Sequence, residues 1–258
     1  MEVLSAWLHD AKHIVFFGGA GVSTESGIPD FRGTDGLYNK QYSNPPETIL
    51  SHDFFVSHTK EFFRFYRERM LYPDAEPNGA HLALAALEKA GKLDAVVTQN
   101  IDGLHQAAGS RKVLELHGNV HRNYCMHCGK LYGLDAVTSS ESVPHCACGG
   151  ILKPDVVLYQ EPLDDHVVNN TLEFISSADL LIVGGTSLAV YPAAGFLQAY
   201  RGSRMALINL SPTPYDRRAN LILREPVGKT LSTLCSEWMP EQKRSCDYSQ
   251  QKNSDNSI

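Results

Sequence analysis

HIVFFGGAGVSTESGIPDFRG (residues 13–33) is the stretch that decides the fold. It opens on an apolar run, His13 to Phe17, and turns at once on Gly18, Gly19 and Gly21. A strand ending in a glycine turn begins a dinucleotide-binding unit, because amides without a neighbouring β-carbon can approach a pyrophosphate closely. The pattern departs from G-x-G-x-x-G, since Thr24 stands where the third glycine is expected. Alone, such a turn serves equally well as a plain strand–helix connection. The loop downstream of it is unusual for a connection: Asp30, Phe31 and Arg32 offer a carboxylate, a ring and a guanidinium in succession. That loop either closes over a bound dinucleotide or lies on the surface with its Phe buried.

Further short apolar runs recur at 94–98 (DAVVT), 112–116 (KVLEL), 155–159 (DVVLY), 178–185 (ADLLIVGG) and 204–210 (RMALINL). Helical patterns separate several of them, at 80–91 (AHLALAALEKAG, ending on a capping Gly91) and 167–178 (VVNNTLEFISSA), and another covers residues 2–11. The alternation predicts an α/β fold: a Rossmann-like, mainly parallel sheet covered on both faces. Residues 34–78, with an aromatic-rich helix, and residues 121–152, with cysteines and little periodicity, break the rhythm. The expected organisation is a discontinuous dinucleotide-binding domain of residues 1–33, 79–120 and 153–240. The helical insert 34–78 and the zinc-binding insert 121–152 would form a small domain, and the polar tail 241–258 is expected to be disordered.

At 258 residues, 43% hydrophobic and 20% charged, the chain is of globular type. A net charge of −6 argues against indiscriminate nucleic-acid binding. No run reaches the roughly 20 apolar residues of a membrane span, and the N-terminus lacks signal-peptide features. A cytoplasmic protein is expected, which favours thiolate–metal binding over disulfides for the clustered cysteines.

Those cysteines form two close pairs, Cys125/Cys128 and Cys146/Cys148, separated by 17 residues. The spacing suits a tetrahedral zinc site whose ligands all come from protein, so the metal is expected to be structural. His127 and His145 adjoin the pairs as alternative ligands, whereas Cys235 and Cys246 lie apart as ordinary thiols. TQNIDGLH (98–105) places Gln99, Asn100 and Asp102 at a strand's C-terminal end, where α/β sheets bind ligands; Asn100 or Asp102 would alternatively cap the next helix. His117 ends another strand in ELHGN and is placed either as a general base or as a structural histidine. Thr186 and Ser187 in GGTSLAVYP, and Asn209 in INLSPT, complete a set of polar strand ends around the glycine turn. Together they describe a dinucleotide site.

These blocks, in this order, resemble the sirtuin family of NAD-dependent protein deacylases, from about Val3 to Trp238. The compact length resembles a bacterial or archaeal-type member. The resemblance implies an NAD site built from Gly19, Ala20, Gly21 and Thr24, under a mobile loop of Asp30, Phe31 and Arg32. It implies a nicotinamide pocket of Asn100, Ile101 and Asp102, Gln99 on the ribose, and His117 as the base. Gly185, Thr186, Ser187, Asn209, Leu210 and Val227 would hold the adenosine half.

The implied reaction consumes NAD as a substrate: acyl oxygen displaces nicotinamide, and His117 then activates a ribose hydroxyl against the acyl carbon. Deacetylated lysine, nicotinamide and O-acetyl-ADP-ribose would result. A monomer is implied, acting on acyl-lysine peptides that bind as a strand between 156–160 and 185–190. Val156, Val157 and Tyr159 would line the acyl-lysine site. Lys153 and the sequence Tyr159-Gln160-Glu161 depart from the family's Arg-Pro and Phe-Gly-Glu, which bears on the substrate groove.

Tyr66 and Arg69, a Y-x-x-R pair, resemble the residues that bind acidic acyl chains in the desuccinylase and demalonylase branch; equally, they would be part of a solvated helix. Deacetylation is nevertheless the first expectation. Mono-ADP-ribosyl transfer or NAD glycohydrolysis would use the same pocket with less need of His117. A non-enzymatic zinc module is disfavoured by the retained Asn100, Asp102 and His117 and by the absence of a basic run.

Overall fold

The computed structural model of the chain describes residues 1–31, 33, 36, 38, 42, 44–190 and 192–240. Every residue of Ile14–Gly18 (β1), Leu180–Gly184 (β7) and Met205–Ile208 (β8) is buried. Runs of that kind belong in the middle of a parallel sheet covered on both faces. The remaining strands are Leu93–Thr98 (β2), Val113–Glu115 (β3), Gly118–Cys125 (β4), Leu131–Tyr132 (β5), Leu152–Val156 (β6) and Leu221–Leu223 (β9). The α-helices are Glu2–Asp10 (α1), Pro46–Ile49 (α2), His52–Ser57 (α3), Thr59–Arg69 (α4), Gly79–Lys89 (α5), Leu104–Ala108 (α6), Asp135–Thr138 (α7), Asp165–Ser177 (α8) and Val227–Leu234 (α9).

The six-stranded sheet runs β3-β2-β1-β7-β8-β9, with every pairing parallel. Side-chain alternation divides its residues cleanly between two cores. Ile14, Phe16, Ile182 and Ile208 pack with Leu4, Leu84 and Leu231 of α1, α5 and α9. Val15, Phe17, Val183 and Leu207 pack on the other face with Ile175 of α8 and Phe196. The chain order reverses between β1 and β7, so the C-terminal ends of these two strands frame a crevice, the usual ligand position in open sheets.

The second sheet, β5-β4-β6, is antiparallel. Its Val120 and Val156 share a core with Phe54, Phe62, Phe63 and Tyr66 of α3 and α4. The residue run 155–159, expected as one more strand of the parallel sheet, is thereby corrected. The strand is Leu152–Val156 and pairs antiparallel with β4, Cys125 opposite Leu152 and Gly118 opposite Val156. That antiparallel return beside β4 depends on contacts distant in sequence, which local apolarity cannot encode. The aromatic-rich helix also differs: it breaks into α3 and α4 at His58, whose φ of −130° and ψ of 42° are not helical. No helix among the described residues is long and apolar enough to cross a membrane. The tail 241–258 lies outside the described residues.

Candidate active site

The turns after β1 and β7 touch through backbone. Gly21 N–H donates to the Gly185 carbonyl at 2.8 Å, and Gly185 sits at φ +59°. A β-carbon on Gly185 would lie 2.4 Å from the Val22 nitrogen, and one on Gly21 would lie 2.8 Å from Gly185 Cα. The glycines are therefore required for the two turns to meet, beyond any approach to a phosphate.

This contact forms the floor of a cleft of ≈ 1070 Å³. The volume is above the range of about 300–1,000 Å³ typical of small-ligand pockets, and so suits a dinucleotide together with a second reactant. Gly19, Ala20, Thr24, Asp30 and Phe31 line it after β1, and Gln99, Asn100, Ile101 and Asp102 after β2. Thr186, Ser187, Asn209, Leu210 and Val227 line it from the β7, β8 and α9 side. Val156, Val157, Tyr159, Tyr66 and Arg69 contribute from the small sheet and α4. Arg32 lies outside the described residues.

Several of these side chains are already held in place. Gln99 Nε2 donates to Thr186 Oγ1 at 3.1 Å, joining the ends of β2 and β7. Asn209 donates to the Ser211 carbonyl at 2.7 Å, and Arg224 braces the same loop at the Asn209 and Ser211 carbonyls. Phe31 packs 5.6 Å from Tyr38, whose hydroxyl lies 2.5 Å from that of Tyr159. Asp30 turns inward on its own loop, accepting from Gly33 N–H at 2.8 Å. Tyr66 stacks on Phe62 at 5.5 Å; burial drives its phenol pKa up, and its hydroxyl has no hydrogen-bond partner among the described residues. Arg69 lies over the Tyr42 ring at 6.0 Å.

Ser23, to which no sequence motif assigns a role, is the link between the two polar residues after β2. Asn100 Nδ2 donates to Ser23 Oγ at 2.9 Å, and Ser23 Oγ donates to Asp102 Oδ2 at 2.7 Å. Asp102 Oδ1 also accepts from Leu104 N–H at 2.9 Å, at the start of α6. Ser23 is 1% exposed. One serine within a polar turn carries no periodic signal, and only the fold shows which neighbours it joins.

His117 reaches the cleft from the end of the segment after β3. Its Nδ1 lies 2.9 Å from the Gln99 carbonyl, which can only accept, so Nδ1 carries the proton and Nε2 keeps its lone pair. Burial pushes the imidazole below its ordinary pKa, against the opposing pull of that hydrogen bond. The ring is therefore neutral at pH 7.

At the other end of β4, the Cys125, Cys128, Cys146 and Cys148 sulfurs lie within 4.8 Å of one another. Two of the separations are 3.5 and 3.6 Å. Four thiolates about 2.3 Å from one zinc ion would sit about 3.8 Å apart, so the donor set fits the metal and leaves no open position. Tyr132 O–H and the backbone N–H of His127 and Cys148 point at the sulfurs. His127 and His145 are outside the cluster.

A parallel sheet with a glycine crevice, a cleft into which the neutral His117 reaches, and a separate four-cysteine centre define a dinucleotide-using α/β protein with a structural metal site. The sequence model of the Sir2 family matches residues 19–192. An NAD-dependent protein deacetylase of Clostridium acetobutylicum is 58% identical over 87% of this chain and 94% of its own length. One from Sulfolobus acidocaldarius is 46% identical over 83% and 85%. Among solved structures, a Sir2 protein with a deacetylated p53 peptide and 3'-O-acetyl ADP ribose matches with a TM-score of 0.84 and 40% identity, over 93% of this chain and 99% of that one. A Sir2 homolog–NAD complex matches at 0.84 and 36%, over 92% and 93%. The chain belongs to the Sir2 family.

Proposed function

We propose that this protein is an NAD-dependent protein lysine deacetylase that consumes NAD and releases deacetylated lysine, nicotinamide and O-acetyl-ADP-ribose. The observation that carries the reading is His117, a neutral imidazole with its free Nε2 in a cleft large enough for both reactants. NAD supplies the electrophilic ribose carbon. The chain's own groups bind, orient and move a proton. Asn100 and Asp102, locked by Ser23, orient the nicotinamide end with Ile101 beside it. Gln99 and His117 serve the ribose, and His117 Nε2 takes the hydroxyl proton as general base.

The turn residues Gly19, Ala20, Gly21 and Thr24 face the phosphates. Gly185, Thr186, Ser187, Asn209, Leu210 and Val227 hold the adenosine end, while Asp30, Phe31 and Arg32 belong to the covering loop that keeps water out. Val156, Val157 and Tyr159 receive the acyl-lysine. The four cysteines hold one zinc ion that supports folding and takes no part in the chemistry. In this reading the parallel sheet and the two inserts form separate large and small domains, and the enzyme works as a cytoplasmic monomer.

Mass spectrometry of an acetyl-lysine peptide, with and without NAD, tests the proposal. Acetyl loss only with NAD, together with O-acetyl-ADP-ribose, is expected. Consumed NAD beside unchanged peptide would instead indicate glycohydrolysis or ADP-ribosyl transfer. A second reading rests on Tyr66 and Arg69: a hydroxyl without a partner among the described residues and a guanidinium line the same cleft and could hold an acidic acyl chain. Succinyl- and malonyl-lysine peptides in the same assay test it, with slower turnover than acetyl-lysine expected.

A further inference from the structure

Among the described residues two non-glycines adopt positive φ, Gln160 at 78° and Leu188 at 52°. Each lies on one of the segments between which the peptide would bind. Such backbone is strained in an L-residue and persists only where its surroundings fix it. For Leu188 the fixing comes from burial. Gln160 is exposed, and its own side chain does the fixing. Its Oε1 accepts from the Asp53 backbone N–H and its Nε2 donates to Asp53 Oδ2, both at 3.0 Å.

The turn around Gln160 is anchored from two directions. Tyr159 N–H donates to the Leu50 carbonyl and His52 N–H donates to the Tyr159 carbonyl, both at 3.0 Å, which ties the turn to the junction of α2 and α3. Glu161 accepts from Leu158 N–H at 2.9 Å and from Lys153 Nζ at 3.0 Å, which ties it to β6. Upstream of the turn, Val157 N–H donates to the His117 carbonyl at 3.0 Å. At the turn itself, Tyr159 reaches Tyr38 hydroxyl to hydroxyl. The backbone conformation at residue 160 therefore sets how the acyl-lysine wall meets both the base and the loop after β1.

We propose that Gln160 and Asp53 are a positioning pair for the acyl-lysine peptide, their two-point clamp holding the left-handed turn that presents Val157 and Tyr159 to the cleft. The inference rests on the deacetylase reading. Four variants separate positioning from stability. Gln160→Gly removes the clamp and relieves the strain; Gln160→Ala removes the clamp and keeps the strain. Asp53→Ala removes the partner, and Asp53→Asn retains both the acceptor and the backbone N–H.

Gln160→Gly is expected to melt no lower than Gln160→Ala, yet both should raise the peptide KM about three- to tenfold, the factor that a modest hydrogen-bond pair contributes. The KM for NAD should stay within about twofold, because the clamp lies on the peptide side of the cleft. Asp53→Ala should behave as Gln160→Ala does, and Asp53→Asn as wild type. A purely structural role would make the peptide KM follow the melting temperature, leaving Gln160→Gly normal. An active wild type with unmoved peptide KM in Gln160→Gly and Asp53→Ala overturns this inference alone. A wild type inactive on every acyl-lysine peptide overturns it together with the function it rests on.

Discussion

A histidine works as a base only while one ring nitrogen is free and neutral, and His117 meets both conditions through its bond to the Gln99 carbonyl and its burial. His117→Ala should lower deacetylation by roughly 10²–10⁴-fold, the usual worth of a positioned base, with little change in melting temperature. Because the folded pKa is below 6.5, kcat/KM should hold its plateau down through pH 6.5 and fall only at more acid values. A pH–rate profile breaking above 6.5 would assign that ionisation to another group. Ser23 is the second residue on which the site turns, since its hydroxyl bonds both Asn100 and Asp102. Ser23→Ala leaves two partners unsatisfied at a cost of about 1–3 kcal/mol each, so a loss of at least about tenfold in kcat/KM is expected. Steady-state kinetics with unchanged values would show that the two side chains hold themselves in place.

The elements meet under tighter constraints than the residue pattern alone announces. Helices α5 and α6 touch through His81 and His105, fully buried with ring centroids 4.6 Å apart. Burial lowers the His81 pKa to about 4 and that of His105 well below 6.5. Unfolding lets both take up protons that the folded state refuses, so their contribution to stability is full above pH 6.5 and is lost as pH falls from 6.5 towards 4. Melting temperature should fall across that window, and His105→Leu should flatten the fall; an equal slope in the variant would place the acid sensitivity elsewhere. Legibility in the sequence follows the same physics. Strands β1, β7 and β8 could be read because burial on two faces demands unbroken apolar runs. The glycine turns, the polar strand ends and the cysteine pairs could be read because each bears a local chemical mark. The run 155–159 reads as a strand of the parallel sheet because Val156 and Val157 look the same in either sheet, and its true partner β4 is distant in sequence. Strand β9 is three residues long and too short for any period. The Ser23 bonds join separate loops and the Gln160–Asp53 clamp joins a turn to α3, contacts invisible before folding.

At the scale of the molecule, the small sheet is a lever with different chemistry at its two ends. Strand β4 runs from Gly118, beside His117, to Cys125 at the metal cluster, a span of roughly 24 Å at about 3.4 Å per residue. Strand β6 returns alongside it, Leu152 opposite Cys125 and Val156 opposite Gly118. The glycine turns, by contrast, rest on β1 and β7 of the six-stranded sheet. Metal removal should therefore affect the two substrates unequally. Structural zinc contributes folding free energy directly, so chelation or Cys146→Ser should loosen the small sheet and with it the placement of His117 and Val157. Peptide deacetylation is expected to fall by more than roughly tenfold while NAD affinity changes by less than about threefold, since only one sheet depends on the metal. Calorimetry with NAD and the peptide assay, run on the same metal-stripped sample, read the two effects separately. Parallel losses would mean that the cluster supports the whole molecule, and no loss in either would mean that α2–α4 hold the small sheet without it.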